Sequence, residues 1–229
     1  MRSRLLCLVA LLLAATFLLA QGPGGPAPAA APQAGASQPA VPSALRWAEG
    51  AKDSELVTQQ GVRIEIIHAP GLDVAVSLLD LQEFATRAWV QVLNKGSAGV
   101  PLDPAKAALE IVKPKPKTLP AVSADKVADK IKQAADVDAE NRSSAGCAMM
   151  RAGCAQSASG VASSKEVEQR ADAMMTNVKS TALQAQTVKP GEQAQGAIFF
   201  TFERKRQESV LHIPVGDMVF EFPFVEGKK

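Results

Sequence analysis

The side chains of this sequence best suited to chemistry sit together in one short run. Cys147-Ala-Met-Met-Arg-Ala-Gly-Cys154 sets two thiols around Met149 and Met150, with Met174 and Met175 close by along the chain. Thiolate and thioether sulfur are soft ligands, so one reading of Cys147, Cys154, Met149 and Met150 is a Cu(I) site. A second is a disulfide closing a small loop, worth about 2–3 kcal/mol by loop-entropy arithmetic. A third leaves the thiols free or pairs them between chains. Were 147–154 one continuous helix, the two Cα atoms would lie about 10.5 Å apart, whereas a disulfide needs them within about 7 Å. Gly146 and Gly153 argue against such a helix and let the segment bend. A Cys147–Cys154 disulfide therefore leads the three readings.

Catalytic tools of the usual kinds are sparse. The chain has two histidines, His68 and His212, and no tyrosine. Neither histidine has metal-ligand spacing, and no G-x-S-x-G elbow, Walker loop or G-x-G-x-x-G run occurs. A triad would have to assemble from residues distant in sequence. His68 falls at a strand end and His212 opposite Leu211 and Ile213, so both read as surface histidines. The expectation is a chain with no catalytic centre and no cofactor.

The N-terminus places this chemistry outside the cytoplasm. Arg2 and Arg4 precede Leu5 to Ala20, which carries no charge and ends on a small residue. That stretch is shorter than the roughly 20 residues a membrane-spanning helix needs, and the pattern is that of a secretion signal over 1–20. Cys7 lies inside the apolar core, which argues against a lipoprotein. Cleavage is expected after Ala20, although Leu18 is bulky for its position and leaves an uncleaved anchor as the alternative. Without Arg2 and Arg4 the 25 basic residues fall to 23, equal to the 23 acidic ones. A neutral chain has no electrostatic footprint for nucleic acid, and contact with a membrane is expected only through an uncleaved signal. Removing Cys7 leaves an even pair of thiols, which suits an oxidising compartment.

Residues 21–43 are Pro, Ala and Gly rich and uncharged. Such a segment cannot bury enough apolar surface to offset its ordering entropy and reads as a disordered, semi-stiff tether. Beyond it, alternation with period two marks strands. Val62, Ile64 and Ile66 face one way and Arg63 and Glu65 the other. Leu72, Val74, Val76 and Leu78 share a face, as do Ala88, Val90 and Val92. A strand near 107–112 ends at Lys113-Pro114-Lys115-Pro116, where prolines remove backbone donors. Later strands place Ile198, Phe200 and Phe202 on one face, then Leu211, Ile213 and Val215, then Met218, Phe220, Phe222 and Phe224. Between Phe202 and Leu211, Glu203 to Arg206 reads as a solvated, charged hairpin tip.

A helical insert at about 121–186 interrupts the strands. Val127, Ile131 and Ala134/Ala135 recur at helical spacing over 124–139. A second helix is expected from Ser163 as N-cap, with Glu166 three residues on and a stripe of Val167, Ala171, Met174, Val178 and Ala182. The two form an antiparallel hairpin joined by a loop over 141–162. Its weak apolar stripe suits an envelope protein partner or self-association; the plainer alternative is that it packs across one sheet.

About seven short strands in two blocks predict a mainly β fold, an immunoglobulin-like antiparallel β-sandwich with a helical-hairpin insertion, spanning 44–226. The antibody-type Cys…Trp…Cys spacing is absent. Ala88-Trp89-Val90-Gln91-Val92-Leu93-Asn94, Val100-Pro101-Leu102-Asp103-Pro104 and Lys189-Pro190-Gly191-Glu192 running to Phe200 together resemble exported bacterial proteins with immunoglobulin-like domains. The resemblance covers 55–120 and 187–226 and implies fold and compartment, periplasmic, envelope-associated or secreted. It lends no catalytic residue. It makes the sequon at Asn141-Arg-Ser143 incidental. The functional expectation is a non-catalytic binding or structural module of the envelope, with periplasmic copper handling as the alternative.

Overall fold

The structure, a computed structural model, describes residues 43–150 and 158–225, save for the side chains of 142–164. The expected signal, most of the tether and Cys154 lie outside the described residues. Eight strands come first: β1 (Ser43–Arg46), β2 (Ser54–Gln59), β3 (Val62–Ala69), β4 (Leu72–Leu81), β5 (Ala85–Asn94), β6 (Val100–Leu102), β7 (Ala108–Lys113) and β8 (Lys117–Val122). Two helices follow, α1 (Ala124–Met150) and α2 (Ala158–Thr181). The chain closes with β9 (Gln186–Val188), β10 (Gln193–Thr201), β11 (Glu208–Val215) and β12 (Met218–Val225). The fold is mainly β, as expected, with more strands than the pattern announced. The additional ones are short or polar, such as β2 (SELVTQ), or carry a proline, as β8 does.

The strands join in the order β1-β12-β11-β7-β8-β10-β5-β4-β3-β2, with β6 reaching β11 and β9. Pairing among them is antiparallel except between β1 and β12. Strand β8 links the two parts of the sheet by changing partners. Its first part, Lys117 to Pro120, pairs with β7, and Ala121 and Val122 pass to β10. Inward side chains from both sides of that strand meet in one core. Val74, Val76, Val90, Val92 and Phe200 come from one side, and Leu109, Ile111, Leu211, Ile213, Phe220 and Phe222 from the other. Burying phenylalanines and branched aliphatics at about 25 cal/mol per Å2 makes this shared core the main stabilising feature.

The predicted faces of β4, β5, β11 and β12 hold, and that of β3 is inverted. Glu65 and Ile67 are buried, while Ile64 and Ile66 point the other way and remain partly exposed. The cause is the turn. Ala69 pairs with Leu72 across Pro70-Gly71, with Gly71 at φ +79. Counting back from inward-facing Leu72, Ile67 falls opposite Val74 and Glu65 opposite Val76. Residues directly opposite share a face, so a two-residue turn fixes which of the alternating sets goes inside. Glu65 is thereby carried into the core.

The helical hairpin starts on the outer face of β5 and β10. Ser123 caps α1, its hydroxyl accepting from the Lys126 amide at 3.3 Å. Val127 and Ile131 of α1 and Val178 of α2 pack with Ala85, Ala197 and Phe199, and Trp89, Ala171 and Met174 join them. The helices are longer than predicted: α1 continues to Met150 and α2 begins at Ala158, not at Ser163, so most of the expected 141–162 loop is helix. Alanine, methionine and arginine in that segment favour helix strongly enough to absorb the cost of Gly146 and Gly160, about 1 kcal/mol each. Among the described residues no helix is long and apolar enough to cross a membrane.

After α2 the chain runs beside β10, where the Leu183 amide donates to the Ala197 carbonyl at 2.9 Å. Gly196 makes room for it. A Cβ there would lie 2.7 Å from the Leu183 Cα and 2.8 Å from its nitrogen, closer than such atoms ever approach. Gly196→Ala is therefore expected to lower stability by about 2 kcal/mol, because backbone and not a flexible side chain has to move. A urea midpoint unchanged from wild type would contradict this.

Candidate functional site

Three groups of functional side chains emerge, and they fall in different parts of the fold. The first is the sulfur run. Cys147, Met149 and Met150 belong to the last turns of α1. Their side chains, and Cys154 entirely, lie outside the described residues, as do the disulfide and copper readings that rest on them.

The second comprises the histidines, each set between two carboxylates on a sheet face. His68 Nδ1 lies 3.0 Å from Asp73 and Nε2 3.3 Å from Glu55. Asp73 also pairs with Lys95. The hydrogen bond to Asp73 holds the His68 pKa above its ordinary value, against the opposing effect of burial and with help from Glu55. Burial alone would raise Asp73, but hydrogen bonds from Lys95 and His68 hold it below the usual carboxylate range. His212 Nε2 lies 3.2 Å from Glu110 and Nδ1 3.5 Å from Glu221. The His68 side chain is 39% exposed and that of His212 26%. Each imidazole thus has a carboxylate from a neighbouring strand beside both ring nitrogens. Among the described residues no three histidine, cysteine or acidic side chains converge as a metal site.

The third was read from sequence as a solvated tip, and the structure corrects this for Arg206. The β4–β5 hairpin places Asp80 directly opposite Thr86, and the Thr86 hydroxyl donates to Asp80 Oδ1 at 2.8 Å. Arg206, from the loop between β10 and β11, reaches both. Its Nη1 donates to Thr86 Oγ1 at 2.8 Å, and its Nη2 lies 3.2 Å and 3.3 Å from the two Asp80 oxygens. The Arg206 side chain is 5% exposed. A planar guanidinium fork matches a carboxylate and a neighbouring hydroxyl as an ammonium does not. Arg206 therefore fastens its loop to the hairpin, while Arg204 and Lys205 beside it stay exposed.

That loop faces the turn between β7 and β8. Together they bound a cleft of about 850 Å3, lined by Ile111, by 114–117 on one side and by 203–207 on the other. Lys117 pairs with Glu203 at 3.4 Å across the cleft, and Lys113 with Glu208 at 2.8 Å next to it. The sequence held a signal for this cleft, two basic runs (Lys-Pro-Lys-Pro-Lys and Glu-Arg-Lys-Arg) on either side of the insert. Only the pairing of β7 with β11 and of β8 with β10 brings them together.

A buried carboxylate stands apart from these groups. Glu65 has no exposed surface, and neither oxygen has an aligned hydrogen-bond partner. The Arg63 guanidinium lies 2.9 Å from Oε1 as an ion pair and stacks over Trp47 with its carbon 5.1 Å from the ring centre. Burial pushes the Glu65 pKa up to about 7 despite the opposing charge of Arg63.

Comparison with protein-family models, with curated proteins and with solved structures finds no match.

Proposed function

We propose that this is an exported, non-catalytic binding module of the cell envelope, an immunoglobulin-like β-sandwich that presents its helical hairpin to a partner. Antiparallel pairing on both sides of β8 and the core they share support the sandwich. The basic, apolar N-terminus supports export, and the Pro/Ala stretch over 21–43 supports a spacer from a surface.

One observation carries the role of the hairpin. Among its described side chains the buried ones, Val127, Ala128, Ile131 and Val178, lie at the base that meets the sheet. Helix α1 has 27 residues, about 40 Å at 1.5 Å per residue, and most of that length lies beyond Ile131. The described side chains from Lys132 to Asn141 are all at least partly exposed, Val137 at 57%. An arm longer than packing on the sheet requires is suited to reaching another molecule. The histidines, each occupied on both nitrogens, favour binding over catalysis.

A shortened variant tests the reading. Replacing 135–170 by a short Gly/Ser link keeps Val127, Ile131, Met174 and Val178 on the sheet. The full arm is expected to capture an envelope protein by crosslinking, or a second copy by sedimentation, and the shortened form to lose it. Identical complexes from both forms would refute the assignment.

A further inference from the structure

We propose that the cleft between the β7–β8 turn and the β10–β11 loop binds a small ligand carrying two or more phosphate groups. This goes beyond the arm and does not depend on it. Five basic side chains, Lys115, Lys117, Arg204, Lys205 and Arg206, line the cleft with a single acid, Glu203. Two of the five are compensated: Lys117 by Glu203 and Arg206 by Asp80. Lys115, Arg204 and Lys205 make no ion pair among the described residues. Their charges repel one another, so a cleft that gathers them is less favourable empty than with an anion inside.

The cleft is also built to hold those charges in place. Arg206 spends its own charge inside the protein, on Thr86 and Asp80, and so acts as a positioning residue for the adjacent Arg204 and Lys205. On the other wall Pro114 and Pro116 flank Lys115 and restrict its backbone. Preorganised cations lose less entropy when a ligand arrives. The volume, about 850 Å3, falls in the range of small-molecule sites, roughly 300–1,000 Å3.

Charge selects the ligand. One phosphate monoester carries about 1.5 to 2 negative charges at neutral pH, so two of them balance three free cations and offer several acceptor oxygens to Lys and Arg donors. No aromatic side chain lines the cleft, which argues against a stacked nucleic-acid strand. The phosphates belong either to a free molecule or to a lipid headgroup.

The test titrates the whole mature chain with sodium tripolyphosphate at low ionic strength by calorimetry. It compares wild type with a Lys115→Ala, Arg204→Ala, Lys205→Ala variant and with Lys126→Ala, Lys130→Ala, Lys132→Ala, which removes equal charge from α1. Binding is expected to weaken about tenfold or more in the cleft variant and no more than about twofold in the helix variant. All six side chains are exposed, and unchanged circular dichroism checks folding. Should the triple variant fail to fold, Lys115→Gln alone is expected to weaken binding about threefold. Co-sedimentation with cardiolipin-containing vesicles separates the sources. Vesicle binding displaced by tripolyphosphate points to a headgroup, and tripolyphosphate binding without vesicle binding points to a free ligand. No wild-type binding at about 1 mM tripolyphosphate, equal losses in both triple variants, or tighter binding of single-stranded DNA with the same dependence on the cleft residues would overturn the proposal.

Discussion

Replacing Glu65 by Gln is expected to raise stability at pH 8 by about 2 kcal/mol and to flatten its dependence on pH between 5 and 8. The carboxyl has no exposed surface and titrates near pH 7 in the folded chain, against an ordinary value of 4.5. Folded protein thus holds this proton more tightly than unfolded chain does. Its contribution is most favourable below pH 4.5, falls as pH rises toward about 7 and stays low above. Integrated over that span the loss is about 3 kcal/mol. Glutamine keeps the shape of the neutral acid without the charge, and Arg63, half exposed, recovers water when its partner goes. Some of the gain is offset by a buried amide with no ready partner.

His68 acts in the same direction over a higher window. Its pKa is raised in the folded state, so its stabilisation is complete below 6.5 and disappears as pH climbs through the folded value. Asp73 acts oppositely: held low by Lys95 and His68, it stabilises above its ordinary pKa and is lost only on strong acidification. Urea midpoints at pH 5.5 and 8 separate these effects. Wild type should be more stable at the lower pH, and Glu65→Gln should shrink that difference to the residue left by His68. Equal wild-type stability at both, or a Gln variant no more stable than wild type at pH 8, would refute the account.

Glu65 also marks where sequence reading stops short. Alternation in β3 was visible, but its phase was not, because Val62-Arg63-Ile64-Glu65-Ile66-Ile67 is apolar on both sets after Glu65. Hydrophobicity favoured Ile64 and Ile66. The Pro70-Gly71 turn decided otherwise by setting the register to Leu72. Strands β4, β5, β11 and β12 were legible since each has one plainly apolar set, and the helix stripes since Val127, Ile131, Met174 and Val178 meet the sheet. Helix ends were missed because the serines and glycines of 141–162 read as loop while the alanines between them favour helix. The cleft was missed for another reason. Nothing local distinguishes Arg206 from Arg204, two residues away, and only Asp80 and Thr86, far back in the chain, make one of them buried.

That distinction predicts the second large effect. Arg206→Ala is expected to cost about 3 kcal/mol, because it leaves Asp80 facing Thr86 without its cation while removing a packed side chain. Complete burial would cost more, but the Asp80 side chain is 35% exposed and water screens part of the loss. For a domain of this size the melting temperature should fall by roughly 6–12 °C. Arg206→Lys should recover less than half, since one ammonium cannot span Thr86 Oγ1 and both Asp80 oxygens as the guanidinium does. Arg204→Ala, two residues away on the same loop and exposed, should move the midpoint by less than about 2 °C. Amide exchange at 203–207 supplies a local readout, with protection at the Arg206 amide, which donates to the Glu203 carbonyl at 3.3 Å, lost in Arg206→Ala and kept in Arg204→Ala. If Arg206→Ala melts with wild type, or if lysine serves as well as arginine, the fork is not what ties the loop to the β4–β5 hairpin. The cleft beside it would then lack the fixed wall on which Arg204 and Lys205 depend.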